Sequence, residues 1–184
     1  ARPSKFSKEH LRTLENIFEH YGRLLYTNLP AYLRKNVQVD VMNAEALKMG
    51  ATNSHFVNPS GFPDDDHYTT VYDMYLIFQE AVKSQAFVDI IKTKSIDVTY
   101  QDANGNDVNK TWNNTNHYLT GETEAPEGIT VIGGKTGTTN AAGYCLVLYS
   151  NNIKGEDIIS IVYKSDGRSN MYLLMNQILS TFAN

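Results

Sequence analysis

One cysteine, Cys145, stands among 184 residues. That count excludes an internal disulfide and any cysteine-cluster metal site. An excess of positive charge is missing too. Lys and Arg number 16 against 20 Asp and Glu, for a net charge of −4, with no basic patch or arginine cluster. A nucleic-acid surface needs such a patch against the phosphates, so nucleic acid is not an expected partner. No apolar run approaches the ~20 residues that span a bilayer, and no secretory signal opens the sequence. A mature chain would have lost its signal, so secretion stays open.

What is present is ordinary for a folded protein: 41% hydrophobic and 20% charged residues, in a length that fits one domain with a real core. Twelve tyrosines, with many Asn, Ser and Thr, suit an extracytoplasmic bacterial surface. Ser7 is placed to cap a helix carrying Leu11, Leu14, Ile17, Phe18 and Tyr21 at helical spacing. Leu29 to Asn36, interrupted by Pro30, reads as a turn and a short helix. Val37 to Met49 reads as an amphipathic helix with Val41, Met42, Ala46 and Met49 inward and Gly50 as its stop. The Asn-, Pro-, Gly- and Asp-rich stretch "TNSHFVNPSGFPDDDHY" reads as a structured loop. Thr69 or Thr70 then caps the helix "VYDMYLIFQEAVKS", with Tyr72, Leu76 and Ala81 or Phe78 facing inward.

The second half alternates differently. "SIDVTY" and "VNKTWNN" flank "QDANGND", where Asn104-Gly105 signals a hairpin turn. "GYCLVLYS" and "DIISIVYKS" read as two strands joined by "NNIKGE". The final "SNMYLLMNQILSTF" reads as a helix packing Leu173, Leu174, Ile178 and Leu179 on that sheet. Helices, then antiparallel strands, then a closing helix predict an α+β fold, an antiparallel sheet flanked by helices. The expected organisation is a single domain over 1–184. It divides into an atypical helical segment at 1–36, a helical part at 37–94, and a sheet part with its C-terminal helix at 95–184.

"VIGGKTGTTNAAG", at 131–143, carries the chemistry. Gly133, Gly134 and Gly137 would leave the strand bare for close approach of a substrate backbone. Lys135 supplies a positive charge, and Thr136 and Thr139 supply hydroxyl donors suited to a carboxylate. So many glycines weaken a strand, which argues for a compensating role.

With "HFVNPSGFPDDDHYTTVYDMYLI" upstream and "GGKTGTTNAAGYCLVLYS" some sixty residues on, the chain from about Val37 resembles the serine D-alanyl-D-alanine carboxypeptidases. These are the low-molecular-mass penicillin-binding proteins, of the β-lactamase/transpeptidase-like fold, whose signatures include S-x-x-K and K-T-G. The resemblance implies a site between a helical region and a five-stranded antiparallel sheet, with the Lys-Thr-Gly on an edge strand. It implies that Lys135 and Thr136 line the site, that Gly137 and Thr139 bind substrate, Thr139 by helping to hold its terminal carboxylate, and that the Thr138 N–H is an oxyanion donor. Arg168, in "SDGRSNMY", matches an arginine beside the carboxylate subsite. The implied partner is a peptidoglycan stem peptide ending in D-Ala-D-Ala, in the bacterial envelope or outside the cell. No cofactor or metal is implied.

The implied nucleophile is a serine one helical turn before a lysine. None of the eleven serines has lysine three residues later, and no threonine replaces one. Ser-x-Asn, or Tyr-x-Asn, is the family's second motif; Tyr26-Thr27-Asn28 has that form, on the correct side but closer than usual to the following helix. Ser150-Asn151-Asn152 has it as well, in a hairpin turn. Two readings stay open. One is a segment of an active enzyme completed elsewhere, by truncation, a companion chain or an unusual gene arrangement; β-lactams would then bind only with the nucleophile supplied. The other is a non-catalytic module that binds wall peptides or a protein. "ARPSKFSKEHLRTLENIFEHYG" does not resemble the family's opening strands, which points to a real departure.

Other residues have plainer expected uses. His55 and His67, with Asp64, Asp65 and Asp66, lack metal-ligand spacing and belong to a structural loop. Asp73 packs or hydrogen-bonds locally inside its helix, and Cys145 is a buried, inert thiol. Trp112 and Tyr118 pack at strand edges. Met42, Met49, Met74, Met171 and Met175 fill the core. Asn113-Asn114-Thr115 is a glycosylation triplet without meaning in a bacterial protein.

Overall fold

The computed structural model describes residues 31–183. The expected Ser7-capped helix and Tyr26-Thr27-Asn28 lie outside them. Helix α1 (Ala31–Lys48) begins just after Pro30 and runs unbroken, so the separate short helix and its successor are one element. Ala46 is buried on its inner side and Val41, Met42 and Met49 are half-buried, as the spacing requires. Gly50 follows with φ 88°, the left-handed stop that a glycine reaches without strain.

Paired hydrogen bonds shape the loop that follows. The Asn43 amide donates to the Phe56 carbonyl and accepts from the Phe56 N–H, both at 2.8 Å. Asn58, buried, accepts from the N–H groups of Ser60 and Phe62 and donates to the Phe62 carbonyl. His55 Nδ1 lies 2.7 Å from the Asp66 carbonyl, His67 accepts from the Val57 N–H, and Asp64 accepts from the Asp66 N–H. These histidines and acids therefore shape the loop.

Helix α2 (Val71–Ala81) is capped by Thr70, whose hydroxyl accepts from the Asp73 N–H. Phe78 faces inward but Tyr72 is 66% exposed, against expectation. Asp73 takes the inward place. Rather than bonding within its helix, its carboxylate accepts from the Asn53 N–H at 2.7 Å and the Ser54 hydroxyl at 2.8 Å, tying the loop to the helix. A further helix, α3 (Gln85–Ile91), separates from α2 and was not expected.

Strands β1 (Ser95–Gln101) and β2 (Asp107–Asn113) form the anticipated hairpin, with Gly105 at φ 82°. A short helix α4 (His117–Thr120) follows, capped by Asn116. Strands β3 (Thr130–Thr139), β4 (Gly143–Asn151) and β5 (Asp157–Ser165) make an antiparallel sheet in the order β3-β4-β5. Among the described residues the five strands thus form two sheets, of three and two strands, rather than one of five. Ser150 and Asn151 still belong to β4, paired with Ile158 and Asp157, and the expected turn begins only at Asn152, which accepts from the Lys154 and Glu156 N–H groups.

The sheet is covered on both faces. Leu146, Leu148 and Val162 pack on helix α5 (Arg168–Ser180). The inward residues of α5 are Met171, Tyr172, Met175 and Leu179. Leu173 and Leu174 are exposed, so only Leu179, with the partly buried Ile178, matches expectation. On the other face Val147, Tyr149, Ile159 and Ile161 meet Phe78 and Ile91 of α2 and α3, with Met74 and Phe87 around them. The layout is α+β, antiparallel strands between helices.

The Asp73 carboxyl has a folded-state pKa below its ordinary value: burial alone would raise it, and hydrogen bonds led by Ser54 and Asn53 more than offset that. Its contribution to stability is complete above the unfolded-state value of about 3.9 and is lost as pH falls through the lower folded value. Urea midpoints at pH 7 and pH 3 should therefore separate less in Asp73→Asn than in the unaltered protein.

Candidate functional site

Every residue of the Lys-Thr-Gly stretch lies on β3, an edge strand whose neighbour among the described residues is β4 alone. Register decides which way each side chain points. Lys135 lies opposite Val147, and Gly133 opposite Tyr149, on the face that α2 and α3 cover. Thr136 lies opposite Leu146, on the α5 face. Successive strand residues must diverge in this way. A ligand reached by both side chains therefore runs along the open edge of the strand, not across either face.

The three glycines divide by task, contrary to the expectation that all leave the strand bare. A Cβ on Gly133 would sit 2.6 Å from the Ile91 carbonyl oxygen, and one on Gly134 would sit 2.4 Å from that of Val147. Both residues are buried, and their missing side chains let α3 and β4 close on β3. Gly137 differs: it is exposed, and nothing would lie within 4 Å of its Cβ. Only this glycine leaves room for an incoming group.

Lys135 is exposed, and its ammonium group donates to the Thr136 carbonyl. Ion pairs among the described residues join Lys48 to Glu45, Lys83 to Glu80, Lys92 to Asp89 and His117 to Glu122. No described carboxylate neutralises Lys135. The Thr136 hydroxyl pairs at 2.5 Å with that of Thr115, a residue sequence reasoning set aside with its glycosylation triplet. Its neighbour Asn116 is fully buried and caps α4 by accepting from the Tyr118 N–H.

Thr139 turns its hydroxyl oxygen to the Ala142 N–H at 2.9 Å, which closes the β3–β4 turn and leaves the hydroxyl hydrogen free to donate. Thr138 is exposed beside it. A row of backbone partners, Thr138 to Tyr144 to Ser165, carries across the sheet to the residues just before Arg168, which opens α5 and is exposed. Arg168 thus sits at the same end of the sheet as Thr138 and Thr139. Cys145 lies opposite Gly137 and is half-buried, not buried as expected; its thiol donates to the Ala142 carbonyl at 3.4 Å. Trp112 is 54% exposed on the hairpin. Tyr118 packs edge-on against Tyr172 and donates to Asn176.

Behind the site, α5 holds the 114–117 loop in place. The Tyr172 hydroxyl accepts from the His117 N–H at 2.8 Å and reaches the Thr115 carbonyl at 3.5 Å, while its ring stacks on that of His117 at 4.7 Å. Burial pushes the Tyr172 phenol up, partly offset by the His117 N–H and by Arg168. The phenol therefore stays neutral and keeps both bonds. Among the described residues no group of three or more His, Cys, Asp or Glu converges as a metal site would require.

Residues 34–167 match the family described as D-alanyl-D-alanine carboxypeptidase. The D-alanyl-D-alanine carboxypeptidase of Streptomyces sp. strain K15 is 31% identical over 125 residues, 67% of this chain and 40% of the relative. A solved mutant of the Streptomyces K15 DD-transpeptidase superposes with a TM-score of 0.72 at 29% identity, covering 82% of this chain and 56% of that one. The chain therefore spans about half the length, or less, of these two proteins. A different likeness is to the flagellar motor switch protein FliM of Thermotoga maritima, 55% identical over 40 residues, 22% of this chain and 12% of that protein. The family match leaves 33 residues before it and 17 after it.

Gly134→Ala should lose about 1–3 kcal/mol of stability, since backbone rather than a flexible side chain blocks the new methyl. Gly137→Ala should unfold at a denaturant midpoint close to that of the unaltered protein. Chemical denaturation of the two variants side by side checks both.

Proposed function

We propose, for a chain that belongs to the D-alanyl-D-alanine carboxypeptidase family, that β3 binds the free carboxylate of a peptidoglycan stem peptide ending in D-Ala-D-Ala, and that the Ser-x-x-Lys serine needed to cleave it is not among these 184 residues. The observation that carries the reading is the state of Lys135: an exposed cation without a described acidic partner, on an edge strand, beside hydroxyl donors and an open glycine.

Each residue then has a chemical task. The peptide lies along β3 as an added strand, which uses main-chain hydrogen bonds and leaves the strand's side chains to recognise its end. Lys135 supplies long-range attraction for the carboxylate. Thr136 and Thr139 donate hydroxyl hydrogens to it, and Arg168 adds charge at that end of the sheet. Gly137 gives the peptide backbone room. The Thr138 N–H points donor character at the scissile carbonyl; such a donor contributes roughly 3 kcal/mol once negative charge develops on that oxygen. Tyr26 and Asn28 stand ahead of the family match, and their part as the second motif rests on their Tyr-x-Asn form alone.

Where sequence outside these residues, on this chain or a companion, supplied the nucleophile, the reaction would be acyl transfer. Serine would attack the D-Ala-D-Ala carbonyl, D-alanine would leave with a proton, and water would release the acyl group. β-Lactams would acylate that same serine. We place this activity in the bacterial envelope or outside the cell, where such peptides occur; no described helix is long and apolar enough to cross a membrane.

A second observation bears on the missing serine. Parts of the chain are also similar to flagellar motor switch proteins, over 22% of it for the Thermotoga maritima protein and 53% for the Borreliella burgdorferi protein, which supports a composite chain that joins carboxypeptidase sequence to sequence of other ancestry. The site would then be an intact fragment of a catalytic apparatus, acting as a binding module unless completed by a companion chain.

Isothermal titration with a synthetic peptide ending in free D-Ala-D-Ala should detect binding that weakens about tenfold or more in Lys135→Ala, as expected when a bond to a charged group is removed. Equal affinities would remove the reading. Fluorescent penicillin should leave no covalent label on this chain alone, and a labelled band lost under penicillin competition would show that it carries a nucleophile after all.

A further inference from the structure

The Thr115–Thr136 hydroxyl pair has a property that neither residue has alone. A hydroxyl carries one hydrogen and accepts at its oxygen. When two hydroxyls bond to each other, one hydrogen is used between them and one is left over. Whichever way the pair is oriented, a single O–H remains to be donated outward, and it is polarised by the bond behind it. Thr115 is exposed and Thr136, next to Lys135 along β3, is half-buried, so the remaining hydrogen lies near the surface at the edge of the strand.

Thr115 is not placed there by chance contact. Asn116 is wholly buried and caps α4, the Asn116 N–H is held by the Asn114 side chain at 2.9 Å, and Tyr172 of α5 holds the His117 N–H and the Thr115 carbonyl. The loop is thus fixed on both sides of Thr115, and a fixed donor loses less on binding than a mobile one.

We propose that Thr115 is a residue of the carboxylate site, acting with Thr136 as a two-hydroxyl relay that sets the Thr136 rotamer and presents one donor hydrogen to the peptide's terminal carboxylate. This rests on the reading of β3 as a carboxylate cradle. Thr115→Val keeps the shape and removes the hydroxyl, whereas Thr115→Ser keeps the hydroxyl and removes a methyl. A relay predicts different outcomes for the two.

The test is titration of the unaltered protein, Thr115→Val, Thr115→Ser and Lys135→Ala with a synthetic D-Ala-D-Ala peptide as the free acid and as its C-terminal amide. The relay predicts that Thr115→Val weakens free-acid binding five- to tenfold, that Thr115→Ser stays within about twofold, and that amide binding does not respond to Thr115→Val. Unaltered free-acid affinity in Thr115→Val, alongside a loss in Lys135→Ala, would overturn the relay and leave the cradle standing. Equal losses for acid and amide would reduce Thr115 to loop structure and overturn it as well. Absence of binding by the unaltered protein would remove the cradle, and the relay's role at a carboxylate with it. The rotamer claim is read separately, from the χ1 couplings of Thr136 by NMR: one rotamer in the unaltered protein and averaging in Thr115→Val are expected, and unchanged couplings would contradict it.

Discussion

Everything at the site depends on how closely two backbones approach β3 from behind. At Gly133 the carbonyl of Ile91 fills the space of a side chain, and at Gly134 the carbonyl of Val147 does so. Those contacts press α3 and β4 against the strand where it carries no side chain. The strand cannot slide without driving backbone into backbone, so Lys135 and Thr136 leave the packed region at fixed points. Gly137, three residues beyond Gly134, has open space where those two glycines do not. A short run of glycines thus serves packing at one end and access at the other.

The electrostatics follow from this placement. A lysine carried on the face covered by α2 and α3 could have been neutralised by the acids of those helices. Instead Glu80 pairs with Lys83 and Asp89 with Lys92, each lysine lying just past the end of its partner's helix, and Asp73 is turned inward to the Asn53–Ser54 loop. The local acids are already satisfied, and the charge of Lys135 remains available to a ligand. Because Thr136 points to the opposite face, a single anion can meet both groups only at the strand edge, and an extended peptide fits that geometry.

Much of this could be read from residue order. The hairpins at Asn104-Gly105 and "NNIKGE", the stop at Gly50 and the cap at Thr70 are local signals, decided by a few neighbouring residues, and the structure has each of them. The inward faces of α2 and α5 were harder to read. On α5, leucines and methionines occur on several sides, and only contact with Leu146, Leu148 and Val162 selects Met171, Met175 and Leu179 over Leu173 and Leu174. Tyr72 and Asp73 exchange roles because a loop twenty residues upstream offers Asp73 two hydrogen-bond donors. The Lys-Thr-Gly strand stood out as a candidate site because its residue types are costly in a plain strand. Thr115 was not, since its partner lies 21 residues away and nothing in the triplet around it announces a contact. The family likeness was legible from about residue 37, near the point where the match begins.

The central claim is that the edge of β3, between Lys135 and Thr139, receives an anionic peptide end. Amide chemical-shift mapping tests it most directly, by titrating the ¹⁵N-labelled protein with the dipeptide D-alanyl-D-alanine. Shifts concentrated at Thr136 through Thr139, with Thr115 and Arg168 following, are the expected result. Saturating dipeptide that leaves those amides unmoved, or moves only residues on the far side of the sheet, would contradict the account.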